Sequence, residues 1–271
     1  MNMVAVLALV IVVAGALIAA LAGPTLLRLW RRQRVARRPF PHAWRDIVRR
    51  RVPLVRELPA AQQLRLKKHI QILLAEVPFV GCAGLELNDE IRVTIAAQAA
   101  FLLLGRGGSF GNLREVLVYP GHFVVPHSAA GAGGVVHEGH DVLAGQSWQR
   151  GQVIVAWNAV RDGAADPHDG ANVVMHEFAH QLDQDNGAAN GAPYVGNRTV
   201  QQAWARVMNH EFDALQARLA RAEPGLIGRY ASTNPAEFFA VTTELFFERP
   251  DRLAAEHPAL YEQLMRCYRS N

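Results

Sequence analysis

Val173-Val174-Met175-His176-Glu177-Phe178-Ala179-His180-Gln181-Leu182 is the stretch that decides how the rest of this chain is read. An H-E-x-x-H pattern, His176 to His180, sits inside that apolar run. On a helix, residues four apart share a face, so both imidazoles can reach one Zn²⁺ at about 2.0–2.1 Å. Glu177 then lies near a metal-bound water, which becomes a nucleophile once zinc lowers its pKa to about 7. The pattern points to a zinc hydrolase with Glu177 as general base. The competing reading is a helix with polar residues on one face, since a short pattern with two wildcards also arises by chance. Asp169-Gly170 and Asn172 are N-cap candidates and Asn186-Gly187 is a stop, which predicts a delimited helix over about 170–186. A His-Glu-His cluster on such a helix needs partners, because burying unpaired polar groups is costly, and metal ligation supplies them.

A catalytic zinc takes a third protein ligand and leaves a fourth position for water. The candidate lies in Tyr230-Ala-Ser-Thr-Asn234-Pro235-Ala-Glu237-Phe-Phe-Ala240. A second helix begins there, with Asn234 as N-cap and Pro235 at the first helical position. Glu237 is then either a ligand or simply the acidic member of a capping box. Glu244 recurs seven residues on, along the same face. It either orients a ligating His or is an exposed charge near the helix end. Asp183 shares a face with both histidines and either orients an imidazole or pairs with solvent or an arginine.

At this point the sequence resembles a known family. His176-Glu-Phe-Ala-His180-Gln-Leu-Asp183 followed by Tyr230-x6-Glu237-Phe-Phe-Ala240 is similar to the Mlc titration factor A family of zinc peptidases, whose catalytic domain is related to that of anthrax lethal factor. Phe79-Val-Gly81, Gly84-Leu-Glu-Leu87, Val118-Tyr-Pro-Gly121 and Trp148-x-Arg150-Gly-Gln-Val153 extend the likeness over roughly residues 40–270. The resemblance implies His176, His180 and Glu237 as metal ligands for one Zn²⁺ per chain. It implies Glu177 as the base and Tyr230 as the residue facing the reacting carbonyl. It also implies a peptide or protein substrate, aminopeptidase activity, and as an alternative a regulatory role as tether or anti-repressor for a transcriptional repressor of the Mlc type.

The N-terminus departs from that pattern. Met3 to Ala22 holds no charged residue, and twenty apolar residues are enough to cross a bilayer. Arg28, Arg31, Arg32, Arg34, Arg37 and Arg38 follow, and such charges favour keeping their side in the cytoplasm. Ala20-Leu-Ala22 resembles a signal-peptide cleavage site, yet no Lys or Arg precedes the apolar run. The expectation is a single-pass bacterial inner-membrane protein with residues 1–30 as anchor, 31–41 as basic linker and 42–271 as a cytoplasmic catalytic domain. Residues 28–56 carry eleven Arg against Asp46, a charge of +10. The whole chain is +4, so the remainder carries −6. Basic residues beside a span meet anionic headgroups or serve only as topology determinants. Nucleic acid is not expected as a partner, because the rest of the surface would repel phosphates.

Cys82 and Cys267 have no metal-type spacing and read as free thiols in a reducing compartment. Hydrophobic patterning predicts helices at about 42–51, 60–76, 88–104, 199–222, 235–248 and 251–268, with Leu64, Leu66, Ile70, Leu73 and Leu74 on one apolar face. Strands are expected at 115–119, 122–125 and 153–157, the last either an edge that pairs with substrate backbone or a core strand. Residues 129–139 read as a loop, and His137-Glu-Gly-His140 at its end has no helical context for metal binding. Asp183-x-Asp185-x-Gly187 lacks the later ligands of a calcium loop. The fold class expected is α+β: a mostly helical, zincin-like metallopeptidase domain with a small sheet, preceded by one transmembrane helix.

Overall fold

The computed structural model describes residues 3–121, 151–187 and 189–269. The expected strand at 122–125, the loop at 129–139, the His137–His140 cluster and Trp148-x-Arg150 lie outside the described residues. The architecture is mostly helical with one small sheet. In chain order the helices are α1 (Met3–Ala36), α2 (His42–Arg51), α3 (Ala60–Glu76), α4 (Asp89–Phe101), α5 (Trp157–Ala165), α6 (Val173–Asp183), α7 (Arg198–Ala220), α8 (Pro235–Glu248), α9 (Pro250–Glu256) and α10 (Pro258–Arg269). The strands are β1 (Phe79–Gly81), β2 (Glu115–Tyr119) and β3 (Gln152–Ala156).

The sheet runs β1-β2-β3 and is parallel throughout, with Phe79 opposite Val116 and Val116 opposite Val153. Parallel neighbours need a crossover, and α4 supplies it between β1 and β2. From Val93 to Phe101 every residue of α4 is buried, so it is the central helix and carries no amphipathic stripe. β1 has three residues, too few for an alternating pattern, and the sequence did not reveal it.

Three local expectations are corrected. Leu64 is 59% exposed. It is two positions from buried Leu66, and a step of two turns a helical side chain to nearly the opposite side. The helix expected at 251–268 is two helices, because Pro258 cannot continue the hydrogen-bond ladder and pushes His257 out of helical geometry. Residues 31–36, expected as linker, continue α1 as helix, leaving 37–41 irregular.

A single apolar cluster draws on α2 through α10 and the sheet. At its centre α6 is buried on every side from Val174 to Asp183, between α4, β3 and α8. Outside this core, α1 is long and apolar enough to cross a membrane: within Ile11–Ala36 an 18-residue window has a mean hydropathy of 1.9 and none of that window is buried.

Candidate metal centre

Two helices with well-made N-termini carry the site. Asn172 caps α6, its side chain accepting from Met175 N at 3.0 Å. Asp169 instead closes the preceding turn on Ala171 N at 2.8 Å. Asn234 caps α8, accepting from Glu237 N at 3.0 Å, with Pro235 at the first helical position. That bond occupies the Glu237 N–H and leaves the role of its carboxylate open, which in a capping box would turn back to the Asn234 N–H.

The Glu237 carboxylate turns to the two histidines. Glu237 Oε2 lies 3.0 Å from His176 Nε2 and 3.6 Å from His180 Nε2, and the two Nε2 atoms are 3.2 Å apart. All three residues are buried. Donors held 2.0–2.1 Å from a tetrahedral zinc are separated by about 3.3–3.4 Å, and the three observed separations bracket that value. The donor chemistry argues the same way. Glu244 Oε1 lies 2.8 Å from His176 Nδ1, so Nδ1–H donates to it and the Nε2 lone pair faces inward. A carboxylate oxygen and two imidazole nitrogens then converge, and such atoms repel unless a cation or proton lies between them. The residues therefore fit a metal ion.

The titration behaviour follows from this geometry. Burial alone would lower the His176 pKa, but Glu244, Glu237 and Glu177 overcome it and raise it well above the ordinary value. His180, more deeply enclosed and beside His176, is pushed down to about 4, chiefly by burial. Burial would raise the Glu237 pKa, but its two imidazole partners hold the carboxyl far below the ordinary range. Without a metal, the cluster draws in a proton at His176, where positive charge is wanted.

Glu244 is the partner of His176 and not an exposed end charge. Its second oxygen accepts from Asn172 N at 2.5 Å. Asp183 does not orient an imidazole. It is fully buried, and its two oxygens accept from Gly191 N and Ala192 N, each at 2.7 Å. Burial raises its pKa to about 6 against these bonds. The loop it holds presses on α8: Gly191 has φ +73, and a Cβ there would lie 2.3 Å from Pro235 O. Asp183 thus braces the helix start that carries Glu237. Asp185 faces Arg106 at 4.0 Å. Glu177 is buried on α6 beside His176. Tyr230 sits on the 3₁₀ turn Arg229–Ser232, its ring centroid 5.8 Å from that of His176.

Glu248 and the tertiary role of Asn172 escaped the sequence reading. Glu248 Oε1 accepts from Asn172 Nδ2 at 2.9 Å and Oε2 from Gly170 N at 3.1 Å. Burial, then the neighbouring Asp169 and Glu244 charges, raise its pKa to about 8. The available signal was spacing: Glu248 follows Glu244 by four and so continues the stripe begun at Glu237. α8 therefore meets α6 through three carboxylates along its length. β3 is tied to α6 through Gln181 Nε2, 3.4 Å from Gln152 O, and among the described residues it pairs only with β2.

The sequence profile of a family described as glucose-regulated metallo-peptidase M90 matches residues 27–269. An uncharacterised protein of Synechocystis sp., slr2042, is 41% identical over 241 residues, covering 88% of each chain. Proteins named Mlc titration factor A from Yersinia pestis and Yersinia pseudotuberculosis are 34% identical over 224 residues, covering 81% of this chain and 82% of theirs.

Proposed function

This chain belongs to the glucose-regulated M90 metallopeptidase family, and we propose that it is a membrane-anchored zinc peptidase that hydrolyses peptide bonds with His176, His180 and Glu237 as the metal ligands. The observation that carries this reading is the convergence of three buried donor atoms at separations of 3.0, 3.2 and 3.6 Å. When bound there, zinc would supply Lewis acidity and lower the pKa of a coordinated water.

The chain's own residues divide the remaining work. Glu177 accepts the proton of the attacking water and returns it to the leaving amine. Tyr230 donates its hydroxyl to the oxygen that becomes negative as the carbonyl is attacked. Glu244 fixes the tautomer of His176 by accepting from Nδ1, which keeps the Nε2 lone pair aimed at the ion. The activity in this reading is that of an aminopeptidase. The side of β3 that pairs with no strand among the described residues offers a place for substrate backbone to pair. Purified protein should carry about one Zn²⁺ per chain and cleave peptides from the N-terminus. Internal cleavage of an N-terminally blocked peptide would replace the aminopeptidase reading with an endopeptidase.

A second reading is supported by the relatives named Mlc titration factor A. In it the chain acts as a regulatory partner of a transcriptional repressor, with or without proteolysis. A Glu177→Gln variant that still captures such a repressor while losing peptidase activity would separate the two roles.

The membrane part of the reading rests on α1 and on the +10 charge of residues 28–56. It places the catalytic domain on the cytoplasmic side of the inner membrane.

A further inference from the structure

We propose that α1 is a rigid stalk docked on α3, and that it seats the catalytic domain directly on an anionic lipid surface. The inference rests on the membrane reading above and deepens it, since it specifies which face of the domain meets the bilayer.

The dock is built by the last two turns of α1. Arg32 Nε and Nη2 donate to Glu76 Oε1 and Oε2 at 2.6 and 2.7 Å, and Nη2 also reaches Ser109 Oγ at 2.7 Å. Arg28 approaches the same carboxylate at 3.6 Å. Exposed ion pairs contribute little to rigidity, but here the Arg32 and Glu76 side chains are only 17% and 22% exposed. A two-pronged pairing of this kind also fixes orientation as well as distance. Burial and the charges of Arg32 and Arg65 push the nearby His69 pKa down to about 4, so no imidazolium competes for Glu76. Beyond the helix end, Gln71 Nε2 donates to Arg38 O at 3.1 Å. The α1 terminus is thus held at two places on α3, Glu76 and Gln71. A flexible basic tether would have neither contact.

Position along the helix sets the distance to the lipid. The uncharged run ends at Leu27, five residues before Arg32, so the dock lies about 7.5 Å from the hydrocarbon edge at 1.5 Å per residue. That interval is spanned by the headgroup layer and little else. Trp30 is 54% exposed at this level, as an interfacial aromatic would be, and Arg34 stacks over it at 5.4 Å. Arg31, Arg34, Arg37 and Arg38 are exposed around the dock with no acidic partner among the described residues. A cationic collar at headgroup height attracts anionic lipid.

The test uses the full chain in phosphatidylcholine vesicles with and without phosphatidylglycerol. Spin labels at Thr25→Cys on α1 and Asp213→Cys on α7, in a Cys82→Ser background, report the distance between stalk and domain. The wild-type pair should give one narrow distance distribution. Arg32→Glu and Glu76→Arg should each broaden it, and the double exchange should narrow it again. A fluorophore at Gln33→Cys should be strongly quenched by nitroxide on the lipid headgroups, more so with phosphatidylglycerol present. A broad wild-type distribution, or a Gln33 label that headgroup nitroxides do not reach, overturns the proposal while leaving the anchor intact. Failure of the chain to remain with carbonate-washed vesicles overturns the anchor itself.

Discussion

Glu244 and His176 are joined at 2.8 Å through Nδ1, and the other Glu244 oxygen takes the backbone N–H of Asn172 four residues before that histidine. One carboxylate thus fixes both the ring proposed as a metal ligand and the start of the helix that carries it. Glu244→Gln should leave the fold intact but weaken zinc binding about 10–100-fold, measured by competition with a chromophoric chelator. Unchanged affinity would show that Nδ1 orientation matters little here.

Removal of a ligand should be more severe. His176→Ala leaves one imidazole and one carboxylate, and metal content by elemental analysis should fall from about one Zn²⁺ per chain to nearly none. Full occupancy in that variant would falsify the ligand assignment.

Glu177 should behave differently, since its proposed role is in proton transfer. Glu177→Gln should keep its zinc and lose about 10²–10⁴-fold in turnover. Tyr230→Phe should also keep zinc and lose about 10²-fold as an oxyanion donor is removed. Near-normal turnover in either variant returns that residue to a structural role.

Glu248 makes stability depend on pH. Its pKa rises from 4.5 to about 8 in the folded chain, so folding favours the protonated form. That contribution is complete below pH 4.5 and is lost as pH rises through 8, on the order of a few kcal/mol. Denaturant titrations of the chain from residue 27 onward should show stability falling between pH 5 and pH 8. Glu248→Gln, which cannot ionise, should flatten that decline. Equal slopes in the two proteins would place the titration elsewhere.

Topology offers a separate check. A reporter active only in the cytoplasm should work when fused after Asn271, and a periplasmic reporter should not. A mature N-terminus at Gly23 would identify the apolar run as a cleaved signal peptide.

Much of the site was legible because its chemistry is local. His176 and His180 are one helical turn apart, so their shared face follows from the period alone. The caps Asn172 and Asn234 announced where α6 and α8 begin, and Pro235 fixed the second start. Helices α2, α3 and α8 have the bounds their apolar periodicity predicts. The fold class was likewise legible, as a mostly helical domain with a small sheet.

The rest depended on contacts between segments distant in sequence. Whether Glu237 capped its own helix or faced the histidines is a question of how α8 lies on α6, and the Glu237 carboxylate answers it by lying 3.0 Å from His176 Nε2. Asp183 shares a helical face with His176 and His180, yet its carboxylate is captured by Gly191 and Ala192, eight and nine residues on. β1 is only three residues long and exists because β2 pairs with it. The Arg32–Glu76 dock joins residues 44 apart, and nothing in a run of arginines distinguishes the one that finds a half-buried carboxylate. Periodicity and capping act within a few residues and can be read along the chain. The choice among several carboxylates and several arginines is made by packing, which brings one of each together and partly shields the pair from water.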